Sequence, residues 1–414
     1  MTTTLTHDQK IAQDAIYAFL CDPVEQVFVL AGYSGTGKST LIKTVMAEWP
    51  QFCKTAKLVN PTLKELPFRL TATTNKAAEN FEQITNKECR TIHSFLGLRV
   101  VKNYETGKTY LRPKSNEYVA PSILIIDEAS YIDSQLLEKI SKKTHGSKVI
   151  FVGDPAQLTP VKSNRTPVFD SNFTGAHLSE VVRQAKGNPI MDLATKFRET
   201  VGTGSFFSFK PDGNAITHLN REDFDDAVLN EFSRNDWGYQ DSKFLAWTNK
   251  TVINYNKAIH DRLTGSPIFK IGDYAVCNKY LNLGNNNSIK TDELVQISSI
   301  EPTTDLHGVD GNYMTLNKGH RVFVPHDKVA VKKIVKTARA NGDIQLVQKI
   351  EDSWADLRAA YACTINKSQG STYDKVFIDL DDISKCNDGN QIARMLYVGV
   401  SRARHKVYLT GDLV

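Results

Sequence analysis

The chain has 414 residues, 41% of them hydrophobic and 23% charged, so it is too long for one ordinary domain and too apolar to be disordered. No apolar run reaches the roughly 18 residues of a membrane span, and Met1-Thr2-Thr3-Thr4 lacks the charged and apolar regions of a signal peptide. Six cysteines (Cys21, Cys53, Cys89, Cys277, Cys363 and Cys386) without a C-x-x-C pair argue against zinc and a disulfide framework and fit a reducing cytosol, while a formal charge of +5 is too mild to define a partner alone.

In chain order, Thr6-His7-Asp8-Gln9 comes first. The apolar run Val27–Ala31 then predicts a buried strand and leads into Gly32-Tyr33-Ser34-Gly35-Thr36-Gly37-Lys38-Ser39. This fits G-x-x-x-x-G-K-[ST] in full, and a helical pattern, Ser39 to Ala47, follows it. Glycines let the backbone turn several N–H groups toward one anion, and the helix N-terminus adds partial positive charge. Lys38 is placed to reach the β- and γ-phosphates of a nucleotide, and the Ser39 hydroxyl to ligate Mg²⁺.

A strand at Leu70–Ala72 precedes Thr73-Thr74-Asn75-Lys76, and Thr91-Ile92-His93-Ser94-Phe95 follows. Phe95 shares an apolar run with Leu96 and Leu98, which suits packing better than base stacking. Leu98 to Val119 reads as a β-hairpin turning at Glu105-Thr106-Gly107-Lys108. Its Arg99, Lys102, Lys108, Arg112 and Lys114 alternate with Tyr104, Tyr110 and Tyr118, which suits either a phosphate-tracking, base-stacking surface or a solvated hairpin face. The strand Ile123–Ile126 ends in Asp127-Glu128: an Asp there can hold Mg²⁺ and a Glu beside it can deprotonate an attacking water. Val149–Val152 leads to Gly153-Asp154-Pro155-Ala156-Gln157-Leu158, and Leu178-Ser179-Glu180-Val181-Val182-Arg183-Gln184 comes next.

Strands alternate with helices again in the second half, at Phe244–Trp247, Val376–Leu380 and Val407–Thr410, without a second phosphate loop. Two parallel α/β cores with a nucleotide at their interface are expected. Ser266 to Trp354 interrupts the second core with strand-like segments punctuated by glycines, a small all-β insertion. It carries a basic run of Lys328, Lys332, Lys333, Lys336, Arg339 and Lys349. Tyr361 to Thr372 and Tyr397-Val398-Gly399-Val400-Ser401-Arg402-Ala403-Arg404 complete the set; no internal repeat or low-complexity linker stands out.

The ordered series from Gln9 to Arg402 resembles the superfamily 1 helicases of the 5′→3′ branch, the RecD-like group. The resemblance implies two RecA-like P-loop NTPase cores with a β-hairpin pin and an SH3-like all-β insertion. The first core would be 1–97 and 120–178, the pin 98–119, the second core 179–265 and 355–414, and the SH3-like module 266–354. At roughly 90 residues that module leaves little room for the long tower some relatives carry.

The resemblance further implies ATP and Mg²⁺ as cofactors. Gln9 would read the adenine. Gly32, Ser34, Gly35, Thr36, Gly37, Lys38, Ser39, Thr40 and Gly370 would cradle the nucleotide, with Ser39 and Asp127 on the metal. Lys38, Glu128, Gln157, Arg183 and Arg402 would be catalytic: Gln157 senses the γ-phosphate, and the two arginines stabilise its transition-state charge. Arg404 is expected to be structural. Thr74, Lys76, Thr91, His93, Thr364, Lys367 and Ser368 would contact a single strand through phosphates, without reading sequence. The usual Pro and Gly of the Thr73–Lys76 motif are Thr73 and Asn75 here, and the usual His before Lys367 is Asn366, so the strand contacts differ in detail.

The implied function is ATP-dependent 5′→3′ translocation on single-stranded DNA with duplex unwinding, in phage DNA replication or recombination. It would act as a monomer in the cytoplasm, of a host cell if viral. Its partners would be single-stranded DNA, single-strand/duplex junctions, and a single-stranded-DNA-binding protein or replisome components, with no membrane. Two alternatives stay open: a translocase that strips bound proteins, and an RNA helicase, because no motif here reads a 2′-OH.

Overall fold

The computed structural model describes residues 5–102, 109–113, 118–160, 166–180, 182, 187–266, 269–284 and 287–413. A six-stranded parallel sheet forms the first core, in the order Cys89–Thr91, Phe68–Ala72, Ile123–Asp127, Lys148–Gly153, Val27–Gly32, Thr174–Leu178. Its inner strands Ile123–Asp127, Lys148–Gly153 and Val27–Gly32 read as nearly unbroken apolar runs because both faces are covered. Phe28, Leu30, Ile125 and Ile150 pack with Ile16, Leu41, Ile42 and Trp49 on one side. Val29, Leu124, Ile126 and Phe151 pack with Ile92, Leu136 and Ile140 on the other. Phe95 rests against this second cluster, in keeping with a packing role.

The second core is a five-stranded parallel sheet ordered Ala362–Thr364, Ser242–Ala246, Tyr373–Asp379, Ala403–Thr410, Ile216–Leu219. Parallel strands joined by crossover helices deliver all their C-terminal ends to one edge, where α/β ligands bind. Between Thr91 and Ile123 an antiparallel hairpin pairs Leu98–Lys102 with Thr109–Pro113. Residues 103–108 and 114–117, which include the expected turn, lie outside the described residues.

The insertion of the second core departs from an all-β module. It does contain an antiparallel sheet, Arg321–Pro325, Asp310–Leu316, Leu294–Thr304, Tyr274–Cys277, Leu357–Ala359, and a short hairpin, Leu281–Gly284 with Asn287–Ile289. Lys328–Ala340 and Ile344–Ser353, however, form a helical hairpin. The Asp327 carboxylate caps the first helix by accepting from Val329 N (2.7 Å) and Ala330 N (3.1 Å), and Asp343 caps the second through Leu346 N (3.0 Å). Val335, Ala338, Val347 and Ile350 then bury one face against Phe323 and Trp354. No helix among the described residues is long and apolar enough to cross a membrane.

Candidate nucleotide and nucleic-acid sites

A cleft of about 540 Å³ opens at the C-terminal ends of the strands, between the two cores. From the first core it is lined by Gln9, Ser34, Gly35, Gly37, Lys38, Ser39, Thr40, Asp127, Glu128 and Gln157; from the second by Gly370, Ser371, Arg402 and Arg404, among others. The loop after Val27–Gly32 curls through Gly37, whose φ of +80° is the left-handed conformation that favours glycine. A Cβ at Gly37 would also lie 2.4 Å from Gln9 Nε2. Thr36 is buried, its hydroxyl donating to Tyr33 O at 2.9 Å. Lys38 Nζ donates to the carbonyls of Gly32 (2.7 Å) and Tyr33 (2.9 Å), folding the ammonium back over the loop.

Gln9 is buried against this loop, and its amide is already partnered. Nε2 donates to Thr36 O at 2.9 Å, and Oε1 accepts from Thr6 N at 3.1 Å as half of a capping box. Reading a base edge would require these bonds to exchange.

Asp127 and Glu128 stand at the foot of the cleft. Glu128 is a non-glycine residue at φ +53°, a backbone conformation that persists where surroundings over-determine it; its carbonyl accepts from Thr73 Oγ1 at 3.0 Å. Asp127 Oδ1 accepts from Glu128 N at 2.9 Å. Desolvation pushes both carboxyls above the usual carboxylate range, and Asp127 raises Glu128 further, whereas Lys38 pulls both down. Two desolvated carboxylates beside a helix-start hydroxyl, Ser39, make a donor set that suits a divalent cation carrying its own water and phosphate ligands.

Across the cleft Arg402 is 6% exposed. Its guanidinium donates to Val398 O (3.1 Å), Ser371 O (3.2 Å) and Ser401 Oγ (2.9 Å), all within its own core. Arg404 also reaches the cleft and pairs with Asp374 at 3.0 Å. Arg183 lies outside the described residues; neighbouring Val182 donates its N–H to Gly35 O at 3.0 Å.

The helix Gly389–Val400 of the second core bridges directly to the first. Tyr397 donates its hydroxyl to the buried Asp154 (2.5 Å) and accepts from Ser34 N of the phosphate loop (3.0 Å). One turn earlier Arg394 donates to Pro155 O at 2.7 Å and to Gln157 O. Gln157 in turn accepts from Gln369 Nε2 of the second core. Neither Arg394 nor Gln369 was singled out from the sequence, and nothing in local sequence marks a contact between segments so far apart.

A second cavity, about 470 Å³, opens on the other side of a shared wall of Lys76, Tyr239, Gln240, Ser371 and Tyr373. Thr364 and Lys367 line it together with Asn249, Asn278, Asp292 and Arg358. Of the residues expected to contact a strand, Lys76, Thr364 and Lys367 meet here. Thr74 sits one residue before Asn75 of the lining. Thr91 and His93 are not in the wall; His93 is half-buried, and that burial lowers its pKa, partly offset by Asp133. Ser368 is fully buried, with its hydroxyl donating to Ile365 O at 2.8 Å, so the fold turns it away from the cavity.

Thr74, Thr91 and Thr364 share one local design. Each follows or ends a parallel strand and caps the helix after it, accepting from Ala77 N (3.2 Å), Ser94 N (3.2 Å) and Lys367 N (3.4 Å). The second core repeats the design at Thr248, which accepts from Thr251 N at 3.3 Å and donates to Asp382 at 2.7 Å. The sequence carries the signal as a short repeat: Ala72-Thr73-Thr74-Asn75-Lys76 against Ala246-Trp247-Thr248-Asn249-Lys250, and Thr91-Ile92 against Thr364-Ile365, each followed by a glycine after four intervening residues. In both sheets the two copies sit on the edge strand and its neighbour. Thr248 and Asn249 do not stand out in the sequence because only four of these five positions match, Thr73 facing Trp247.

Residues 5–220 match the AAA domain family and residues 359–410 the UvrD-like helicase C-terminal domain. The first match spans just over half of the chain, so the chain belongs to the AAA domain family. With its two RecA-like cores and the second match, it is a superfamily 1 helicase of the RecD-like branch. Among relatives, the ATP-dependent DNA helicase dda of Enterobacteria phage T4 is 25% identical over 98% of this chain and 98% of that protein. The ATP-dependent DNA helicase Pif1 of Bdellovibrio bacteriovorus is 26% identical over 92% of this chain and 82% of that protein. A Pif1 helicase from Bacteroides, solved in complex with ADP-AlF3 and ssDNA, shares the fold: the TM-score is 0.52 at 16% identity, covering 100% of this chain and 93% of that one.

Proposed function

We propose that this chain is an ATP-dependent DNA helicase that translocates 5′→3′ along single-stranded DNA and parts the duplex ahead, with Mg²⁺ as its cation. The observation that carries the reading is the shared wall. Lys76, Tyr239, Gln240, Ser371 and Tyr373 face the nucleotide cleft on one side and a polar cavity with strand-binding chemistry on the other. Any change in how the two cores meet around a nucleotide therefore reshapes the second cavity.

Ser39 and Asp127 are the residues that would hold Mg²⁺, which supplies charge neutralisation on phosphate oxygens. Lys38 exchanges its two loop carbonyls for phosphate oxygens. Glu128, held at the cleft floor with a raised pKa, orients the attacking water and accepts its proton. Arg402 is poised across the cleft and gains a phosphate partner only when the cores approach, so closure is favoured before hydrolysis and not after it. That differential affinity is what a two-state cycle requires. Helix N-termini capped by Thr74, Thr248 and Thr364 present N–H groups to strand phosphates, an interaction blind to base identity. Junction DNA, a single-stranded-DNA-binding protein and replisome components are the proposed partners, and replication or recombination in phage-infected cytoplasm the proposed setting.

The test is unwinding of duplexes carrying a 5′ or a 3′ single-stranded tail, with ATPase stimulation compared between oligo-dT and oligo-U. Unwinding of 5′-tailed DNA with preferential oligo-dT stimulation is expected. Activity on 3′ tails alone overturns the polarity, and stimulation by oligo-U alone overturns the substrate.

A further inference from the structure

We propose that the exposed face of the helix Lys328–Ala340 is an additional single-strand site that extends the cavity between the cores. The inference rests on the single-strand reading above. This helix contains four lysines and one arginine and no acidic residue. Lys332, Lys333 and Lys336 are exposed and fall within one face, at i, i+1 and i+4, with Val329, 75% exposed, among them. The face opposite is the one buried through Val335 and Ala338. The other two cations of the helix are satisfied: Lys328 pairs with Asp356, and Arg339 with Glu351 at 2.7 Å.

The helix starts at the rim of the strand cavity. Asp356, partner of Lys328, also accepts from Asn278 Nδ2 (2.8 Å) and Arg358 (3.1 Å), and both of those residues line the cavity. A strand leaving the cavity past Arg358 therefore meets Lys332 and Lys336 next. Residues four apart on a helix are separated by about 6 Å along its axis, a step comparable to the spacing of successive phosphates on a strand. Lys332 and Lys336 at that pitch, with Lys333 beside them and a polar cavity at the start of the helix, match the backbone of a single strand. A protein partner would require acidic side chains at the same pitch, and the exposed face offers little apolar surface for one. The hairpin Leu98–Pro113 belongs to the first core, so the strand on this helix is the tail beyond the second core rather than the duplex ahead.

The test uses the full chain with Lys332→Gln, Lys333→Gln and Lys336→Gln combined, and an oligo-dT series lengthened from a piece that only fills the cavity. Because these side chains are exposed, the thermal midpoint serves as the folding control. The triple variant should bind the shortest oligonucleotides like the wild type. It should gain less affinity with length, and for long oligonucleotides its slope of log K against log salt should be shallower by about 2, three contacts at roughly 0.7 each. Equal affinity of variant and wild type at every length overturns the site. So does a loss that is the same at every length, which would mean a diffuse field. On a blunt duplex titrated in parallel, a loss confined to that substrate overturns the single-strand assignment in favour of duplex. Failure of the wild type to bind even the shortest oligo-dT is a failure of the helicase reading itself, and the short arm separates it from failure of this site.

Discussion

Tyr397 of the second core donates its hydroxyl to Asp154 of the first at 2.5 Å, and the same oxygen accepts from Ser34 N of the phosphate loop at 3.0 Å. One phenol thus connects the glycine-rich loop, the strand end beside the cleft and the helix that ends just before Arg402. Burial and the Asp154 charge raise the Tyr397 pKa, so the hydroxyl stays protonated and keeps its donor role.

Tyr397→Phe removes the donor to Asp154 and the acceptor for Ser34 N while keeping the ring. Asp154 retains Ala156 N at 2.9 Å, so the fold should survive. Loss of a buried hydrogen-bond partner costs about 1–3 kcal/mol. The expected result is a DNA-stimulated turnover lowered by roughly tenfold, with single-strand affinity in the absence of nucleotide unchanged. Stopped ATPase assays with fluorescence anisotropy on the same preparation check it; an equal loss in both would mean a purely structural role.

Glu128→Gln should bind nucleotide normally but turn over more slowly by about 10²-fold or more, because an amide cannot accept the water proton. Asp127→Asn should instead weaken the response to Mg²⁺, seen as a shifted metal titration of nucleotide binding. Identical behaviour of the two variants in that titration contradicts the division of roles.

The nucleotide-cleft half of the candidate site was the legible half. Lys38, Asp127 and Glu128 owe their positions to a loop and a strand end, and local sequence encodes both. The strands Val27–Gly32, Ile123–Asp127 and Lys148–Gly153 were equally legible, since burial on two faces writes an unbroken apolar run. Shorter strands such as Cys89–Thr91 and Ala362–Thr364 were not, because three residues carry no period. The helical hairpin at Lys328–Ser353 read as strand because Val329, Val331, Ile334 and Val335 are β-branched, yet the Asp327 cap and burial on Phe323 and Trp354 outweigh that local preference. Tyr397, Arg394 and Gln369 act through contacts that only the folded chain brings together.

Lys243 should make stability depend on pH. It is 1% exposed, donates to Ala360 O, and sits 3.8 Å from the centre of the Tyr239 ring. Desolvation lowers its pKa from 10.5 to about 8. Between these values the unfolded chain binds more protons than the folded one, so this group makes stability rise with pH across that window. Its penalty is complete below about pH 8 and amounts to a few kcal/mol at most. Lys243→Met should flatten the rise between pH 8 and 10.5 in urea melts. A slope equal to the wild type's would show that the ammonium is not disfavoured in the fold.

Asp292→Asn should strengthen single-strand binding. Lys367, at the strand cavity, gives its ammonium to Asp292 at 2.5 Å and to Asn278 Oδ1 at 2.8 Å, so a carboxylate stands where a strand phosphate would pair. Asp292 holds φ +64°, a conformation that asparagine tolerates as well as aspartate, so the substitution removes charge without disturbing the turn. Both side chains are partly exposed, at 33% and 42%, which limits the pair to about 1 kcal/mol or less. Affinity for oligo-dT should therefore rise by no more than about fivefold at low salt, and the salt slope should steepen by up to 0.7 as Lys367 pairs fully with phosphate. In a Lys367→Ala background the same substitution should change the slope little. If Asp292→Asn weakens binding instead, the carboxylate orients Lys367 toward the strand rather than competing with it, and the sign of the change decides between the two.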